Sequence, residues 1–531
     1  MTKLKFFTPA LIVISGIFLI LLSFSLVAPP EFEERFLNSD CMYLPSIYRD
    51  IFIQKNNMEL WSFNAAPNVF PDLILYFLII SIVGNIAQAG IIYSIAQYVI
   101  IATLSDYILR KSSASHNLSG RVLLQILLLI PHTFTVYSYD FQLHFQYLSN
   151  AYHLGAMVNV LIAWSIILNI LELKKNSTKN LAFIPFCLLL YTMSICDKLF
   201  WLLFLAPLFF YLILKYLNEK QKPTLVHISL LLLTFLMSNW TLNELRSGKP
   251  KIDSPFRNMS TEYIGESFSI FYEHMHVELT GLTMKSLFLS LVAVSIILLS
   301  FHSTRIFIRF FQKKSINASS LWFVFILASV ILGMIAPIMN GSYSAFDCIR
   351  YNFPAMILAL IALGLIIAPK VQNVSPLFLI IPFIILGSYW GYELYQHRDE
   401  LSSKMCYIPE ETKIIEQIAT DHNLHAGVAP YWHAKKNDMF NQKGLKILPI
   451  LDQRGMYIHA NNKQWYLTEN GSSKKQYFDF AIANTQEEVN ELLTYFECEC
   501  PIITEKPFFV ILTPKFSFDP ITELIVMEDK K

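Results

Sequence analysis

The chain has 531 residues, of which 54% are hydrophobic and only 15% charged, with a formal net charge of +1. An ordinary soluble domain is less apolar and more charged, so the composition excludes a water-soluble protein and points to many membrane passes. The near-even balance of basic and acidic residues gives no footing for a nucleic-acid partner; the informative charges are those at the ends of the apolar runs.

Lys3 and Lys5 precede an apolar run from Phe6 to Ala28. The run is longer than a signal-peptide core and no small-x-small cleavage site follows, so a retained first helix is predicted over about 7–28, its basic end cytoplasmic. The loop from Pro29 is then external and carries Glu31, Glu33, Glu34, Asp40 and Asp50. Asp40 stands in Asn38-Ser39-Asp40-Cys41-Met42, at the mouth of that helix. A second apolar block opens at Phe70-Pro71-Asp72 and breaks at Gly84-Asn85. Reading 71–83 as an interfacial or re-entrant helix, and 87–109 as the next span, keeps Arg110, Lys111 and Arg121 inside, as the positive-inside rule prefers.

Spans follow over about 121–138, 154–172, 181–195, 199–217, 224–242, 284–301, 319–339, 351–369 and 375–391, about eleven in all. The inner loops between them carry Lys174, Lys175 and Lys179, then Lys215, Lys220 and Lys222, then Arg305, Arg309, Lys313 and Lys314, and finally Lys370. A polar external loop is expected over 243–283. From about 392 the composition turns polar. Glu410 to Ile418 reads as an amphipathic helix, and 426–429, 478–483 and 508–512 read as strands. Thr485 reads as the cap of a helix through Phe496, with Glu487 and Glu488 in its first turn. The predicted fold class is therefore a membrane all-α domain over 1–391 followed by a small extracytoplasmic α/β domain over 392–531.

Seven cysteines include no CxxC pair and no zinc-type spacing, only the C-x-C of Cys498 and Cys500. Cys41, Cys348, Cys406, Cys498 and Cys500 fall on the external side, where a disulfide and free thiols are both open. Among the predicted spans the main charged residue is Asp106, near an inner end. Polar residues gather instead at the external ends: Asp40, Asp140, His144, His153, Asp197, Lys198, Asp347 and Arg350. That one-sided cluster predicts a site at the outer membrane interface.

Four features give the chain a family likeness: the first helix and its loop acid Asp40; the Pro-led run Phe70-Pro71-Asp72-Leu73-Ile74-Leu75-Tyr76; Cys196-Asp197-Lys198-Leu199-Phe200 between two spans; and Arg350-Tyr351-Asn352-Phe353-Pro354 opening a late span. With a soluble domain after the last span, this layout resembles the GT-C superfamily of polytopic glycosyltransferases. It is similar to bacterial members of the dolichyl-phosphate-mannose protein mannosyltransferase and aminoarabinose transferase type. The resemblance implies an inverting enzyme of a bacterial inner membrane, with a polyprenyl-phosphate-linked sugar (hexosyl or pentosyl) as donor and a glycan, lipid or protein as acceptor, working among membrane lipid on the periplasmic face. Relatives often carry two adjacent acids in the catalytic loop; here Asp40 is followed by Cys41, and Asp140 is the candidate for the second.

Such a transfer needs a base for the acceptor hydroxyl and cations for the departing phosphate. Asp40 suits the first role, and Lys198 and Arg350 the second. Asp140 and His144, four residues apart on one helical face, are candidates to hold the acceptor or a divalent cation such as Mg or Mn, with Asp347 a third. The aromatic stretch Ala429-Pro430-Tyr431-Trp432-His433 reads as a strand edge, either packed or facing an acceptor glycan. Three other readings make different demands. A glycan polymerase or ligase with a pyrophosphate-linked donor would use Arg246, Lys249, Lys251, Arg257, His274 and His276 of 243–283. A lipid or polyol-phosphate transporter would line the spans with polar groups. A scaffold without catalysis would make Asp40 dispensable.

Overall fold

The computed structural model describes residues 2–64, 66–112, 117–138, 148–149, 153–173, 175–220, 222–246, 261–281, 283–312, 314, 316, 318–341, 343–451, 455–469, 472–519 and 525–527. It divides into two compact units. One takes in Met1–Val27, Ala66–Leu75 and Ile91–Ser402; the other takes in Ala28–Ala65, Tyr76–Gly90 and Ser403–Lys531.

The first unit is helical, because apolar runs in lipid can satisfy their backbone groups only within the helix. Among the described residues nine helices are long and apolar enough to cross a membrane, from Pro9–Leu26 to Pro376–Gln396. They match nine of the eleven expected spans. The other two are also helices, Leu118–Ser138 and Phe353–Ile367, but their apolar stretches are shorter. Phe353–Ile367 is buried from Phe353 to Ile366. Helices approach closely where a side chain is missing: a Cβ on Gly387 would lie 2.4 Å from Ser15 Oγ, and one on Gly120 would lie 2.5 Å from Ala368 Cβ. Asp106 is neutralised by Arg121, with Nε to Oδ1 at 2.7 Å and Nη2 to Oδ2 at 2.9 Å, and by Arg110 at 3.2 Å. A bidentate fork of this kind is how a carboxylate survives at the end of an apolar helix.

Two stretches differ from expectation. The polar loop over 243–283 contains a helix, Thr261–Thr280. Ser267 and His274, seven residues apart on one helical face, are both buried, and Tyr343 N donates to Ser267 Oγ at 3.1 Å. The block after Asn68 starts as a wide helical turn, Val69–Leu73, and continues as a regular helix, Ile74–Val83. Gly84, at φ +69°, follows it in the left-handed conformation that glycine tolerates.

The second unit is built on an α/β sheet. The strands are β1 Trp61–Ser62, β2 Ala426–Pro430, β3 Lys446–Leu451, β4 Gly455–Met456, β5 Asn461–Asn462, β6 Phe478–Ala483, β7 Ile502–Glu505, β8 Phe508–Phe518 and β9 Ile525–Met527. The main sheet runs β4-β3-β2-β6-β8-β7, with β9 also on β8. β2 is parallel to both β3 and β6; the other pairs are antiparallel. Helices Glu410–His422 and Gln486–Phe496 form where amphipathic spacing predicts them, the second capped by Thr485 Oγ1 accepting from Glu488 N at 3.1 Å. Ile415, Ile418, Ala434, Ile447, Phe480 and Val510 meet in its core. Cys498 is disulfide-bonded to Cys500, while Cys41, Cys187, Cys196 and Cys348 are buried thiols outside any disulfide and Cys406 an exposed one.

The first loop belongs to this unit. It folds as helices Pro29–Phe36 and Tyr43–Tyr48 and a wide turn Arg49–Gln54, and its β1 pairs antiparallel with β5. Asp50, fully buried, ties it down. Its Oδ1 accepts from Trp465 Nε1 at 2.7 Å and Asn56 Nδ2 at 2.9 Å, and its Oδ2 from Trp61 Nε1 at 2.7 Å and Asn462 Nδ2 at 2.9 Å. Arg49 forms an ion pair with Asp438.

Candidate functional site

Asp40 sits on a turn that its own neighbours shape. Asn38 Oδ1 accepts from Cys41 N at 3.1 Å, and Asn38 Nδ2 donates to Glu34 O at 3.0 Å, closing the end of helix Pro29–Phe36. This asparagine turn leaves Ser39 and Asp40 against the helix Tyr431–Phe440. Ser39 Oγ donates to Tyr431 O at 2.6 Å, and Tyr431 Oη donates to Asp40 Oδ1 at 2.9 Å. Asp40 is half-buried. The strand-edge reading of 429–433 is corrected here: β2 ends at Pro430, whose ψ of 150° turns the chain into the helix, so Tyr431, Trp432 and His433 form a first helical turn. Tyr431 stacks edge-on with Trp432 and Tyr457, at 5.2 and 5.1 Å between ring centres, and Trp432 is 57% exposed.

One turn along that helix, Lys435 is buried. Its Nζ donates to Ala460 O and lies 5.7 Å from the ring centre of Tyr43 and 5.9 Å from that of Trp61. Burial lowers its pKa to about 7, against the opposing pull of the Asp40 carboxylate. His459 is lowered for the same reason, with Lys435 adding to the effect, and burial raises Tyr457. Asp40 is thus a carboxylate held on one oxygen by a phenol that itself packs on Trp432 and Tyr457. Tyr43 N donates to the Asp40 backbone carbonyl at 3.2 Å, and among the described residues no second hydrogen bond reaches the carboxylate itself. This arrangement can accept a proton from a hydroxyl brought to its open side.

Lys198 and Arg350 lie in the first unit, where a chain of contacts links them. Asp197 ends helix Asn176–Cys196; its Oδ1 accepts from Leu199 N at 2.8 Å and its Oδ2 contacts His153 Nδ1 at 2.7 Å. The His153 ring lies 4.9 Å from that of Tyr351, and Arg350 stacks on Tyr351 with its guanidinium 5.2 Å from the ring centre. Lys198, next to Asp197, lies over Trp201 at 5.6 Å. Of these groups His153 contacts Asp197 directly, while Arg350 is linked to it through Tyr351 and His153 and Lys198 is its chain neighbour.

A residue that sequence reasoning did not single out lies in the same unit. Asp72 is buried, and its Oδ1 accepts from Tyr93 Oη and, at 3.4 Å, from Gln97 Nε2. A Cβ on Gly155 would lie 1.9 Å from Asp72 Oδ2, so only glycine leaves room for the carboxylate. The backbone beside it is held by Asn159 Nδ2, which donates to Phe70 O at 2.9 Å, and by Phe70 N, which donates to Cys196 Sγ at 3.2 Å. The signal available in the sequence was an acid directly after proline at the head of an apolar run.

Asp347 lies in the tight turn Phe346–Tyr351. Asp140 and His144 lie outside the described residues. Among the described residues no group of three or more His, Cys, Asp or Glu side chains is arranged to hold a metal ion. His274, a candidate of the 243–283 region, faces Glu278 at 3.7 Å and Tyr343 Oη at 3.5 Å.

No family model matches the chain, and no curated protein matches it. Among solved structures, it is similar to the crystal structure of ArnT from Cupriavidus metallidurans bound to undecaprenyl phosphate. The identity is 11% and the TM-score 0.45, over 94% of this chain and 97% of that one.

Proposed function

We propose that this chain is an inverting membrane glycosyltransferase of the GT-C kind, taking its sugar from a polyprenyl-phosphate carrier and working at the periplasmic face of a bacterial inner membrane. The observation that carries the reading is the Asp40–Tyr431 bond at 2.9 Å, which aims a half-buried carboxylate while leaving it one open side. Asp40 takes the proton of the acceptor hydroxyl as that oxygen attacks the anomeric carbon. A single displacement of this kind inverts the anomeric centre and expels the carrier phosphate. The departing phosphate needs cations, a role that Lys198 and Arg350 of the helical unit suit by their chemistry. The aromatic faces of Tyr431, Trp432 and Tyr457 suit a sugar ring in the acceptor.

The test is sugar transfer by purified protein in lipid, supplied with polyprenyl-phosphate sugars, for wild type and Asp40→Asn. The asparagine keeps an oxygen for Tyr431 to donate to but cannot take a proton. Folded, inert Asp40→Asn beside active wild type supports the assignment. Equal transfer by both removes Asp40 from the chemistry.

A further inference from the structure

Arg49–Gln54 is a wide turn that leaves two large apolar side chains in the open: Phe52 is 55% exposed and Ile53 68%. The turn is firmly held. Asn56 N donates to Asp50 O at 3.1 Å and closes it, Lys55 ends it in the left-handed conformation at φ 54°, and the Asp50 carboxylate anchors it through four donors. The exposure is therefore built into the fold rather than left over from a slack loop. The tip also continues into a second apolar face. The rings of Tyr48, Phe52 and Phe77 meet pairwise, with centres 5.0 Å (Tyr48–Phe52), 5.3 Å (Tyr48–Phe77) and 5.4 Å (Phe52–Phe77) apart. Phe77 lies on helix Ile74–Val83, where Leu78 and Ile82, four residues apart on one face, are both exposed, Ile82 at 84%. Ser81, exposed on the same helix, turns its hydroxyl back to donate to Leu78 O at 3.0 Å, as a side chain out of reach of water must.

Only Gly84 and Asn85 separate helix Ile74–Val83 from Ile86–Ser112, which is long and apolar enough to cross a membrane. A patch so close to a span is within reach of the bilayer. At ten residues, about 15 Å, the helix is too short to cross the hydrocarbon and long enough to lie at its edge. In water its open face and the tip would stay hydrated at a cost that acyl chains remove. Lys55, exposed at the end of the turn, suits the phosphates above those chains. We infer that Phe52 and Ile53 form a membrane-insertion tip, which seats with Leu78 and Ile82 at the boundary between the acyl chains and the headgroups of the bilayer. The partner is the lipid itself. The first loop is thereby fastened twice, to lipid through the tip and to the sheet strand β5 through β1 and Asp50.

The experiment attaches a nitroxide to an introduced cysteine in the full chain, with the exposed Cys406 replaced by Ser, in vesicles of phosphatidylethanolamine and phosphatidylglycerol. The sites are Phe52→Cys and Ile53→Cys, with Leu188→Cys as the lipid reference and Glu491→Cys as the water reference. Leu188 is an exposed residue within the span Asn176–Cys196, and Glu491 an exposed one on a helix of the α/β unit. Power saturation then compares collision with oxygen, which concentrates in lipid, and with a nickel chelate, which stays in water. Positions 52 and 53 are expected to prefer oxygen, as Leu188→Cys does, at a depth of about 5–10 Å into the headgroup and acyl boundary. Nickel access equal to that of Glu491→Cys overturns the inference, because the tip then stands in water. Poor access to both reagents overturns it too, because another protein segment or a second copy of the chain then covers the tip. Where Phe52→Cys loses its ring contacts and does not fold, Ile53→Cys decides, since that side chain is no part of the ring cluster.

Discussion

Replacing Asp50 by Asn tests the joint between the first loop and the sheet. The carboxylate is fully buried and receives two N–H groups on each oxygen, from Trp465 and Asn56 on one and from Trp61 and Asn462 on the other. An amide turned either way keeps one oxygen and points an NH2 at the remaining two donors. Those donors lose their acceptor in a place water does not reach. At about 1–3 kcal/mol for each buried donor left unmade, the loss is about 2–6 kcal/mol, before any weakening from the lost charge. A unit of this size shifts its unfolding midpoint by roughly 2–4 °C per kcal/mol, so a fall on the order of 10 °C is expected. The assay is intrinsic fluorescence during heating in detergent at one scan rate, with Trp61 and Trp465 as reporters at the site itself. A midpoint within about 2 °C of wild type would refute the reasoning, since it would mean that the four bonds are not made in solution.

The other predictions concern the α/β unit at low pH and the buried acid of the helical unit. Glu411 is pushed up by burial, but His433 at 2.7 Å and Lys436 at 3.0 Å outweigh this and hold it at about 2, below its ordinary 4.5. With the folded pKa below the unfolded one, its stabilisation is complete above about pH 4.5 and is lost as pH falls toward 2. That amounts to about 3 kcal/mol, and Glu411→Gln should flatten this part of a thermal-stability profile. Gly155→Ala should lower the unfolding midpoint by driving a methyl into the Asp72 carboxylate, and Asp72→Ala should suppress much of that effect in the double variant.

Apolar run length and charge made the helices legible, because a span must be apolar along its length and because basic residues gather in the loops between alternate spans. The α/β elements were legible for a local reason as well: Thr485 with Glu488 is a cap written in four residues. The site was legible only in part. Asp40, Lys198 and Arg350 stood out as charges at helix ends, but their partners are set by pairings far along the chain. Tyr431 and Lys435 reach the first loop across about 390 residues of sequence, and no local pattern records such a contact. Asp72 stood in the sequence only as part of the Pro-led run, with no role, because its partners Tyr93 and Gln97, which make it a buried member of the packing, lie more than twenty residues away. The helix at 431–440 was misread because the strand before it ends in proline and the first helical residues are aromatic, a composition equally at home in a strand.

Three of the first-loop acids, Glu33, Asp40 and Asp50, are separated by their surroundings. Glu33 shares its oxygens between Tyr407, at 2.6 Å, and Lys436, at 3.3 Å, and is held as a structural anion. Asp50 is saturated by four donors and shut away from solvent, so a substrate hydroxyl would have to break the joint to reach it. The Asp40 carboxylate receives, among the described residues, one hydrogen bond, from a phenol, and remains half-buried. A base must be ionised, oriented and yet reachable, and each added donor improves the first two while closing the third. Of the three, only Asp40 meets all of these demands. A variant that gives Asp40 a second donor should therefore slow transfer even as it stabilises the fold, and Asp50, with its four donors, already stands at that limit.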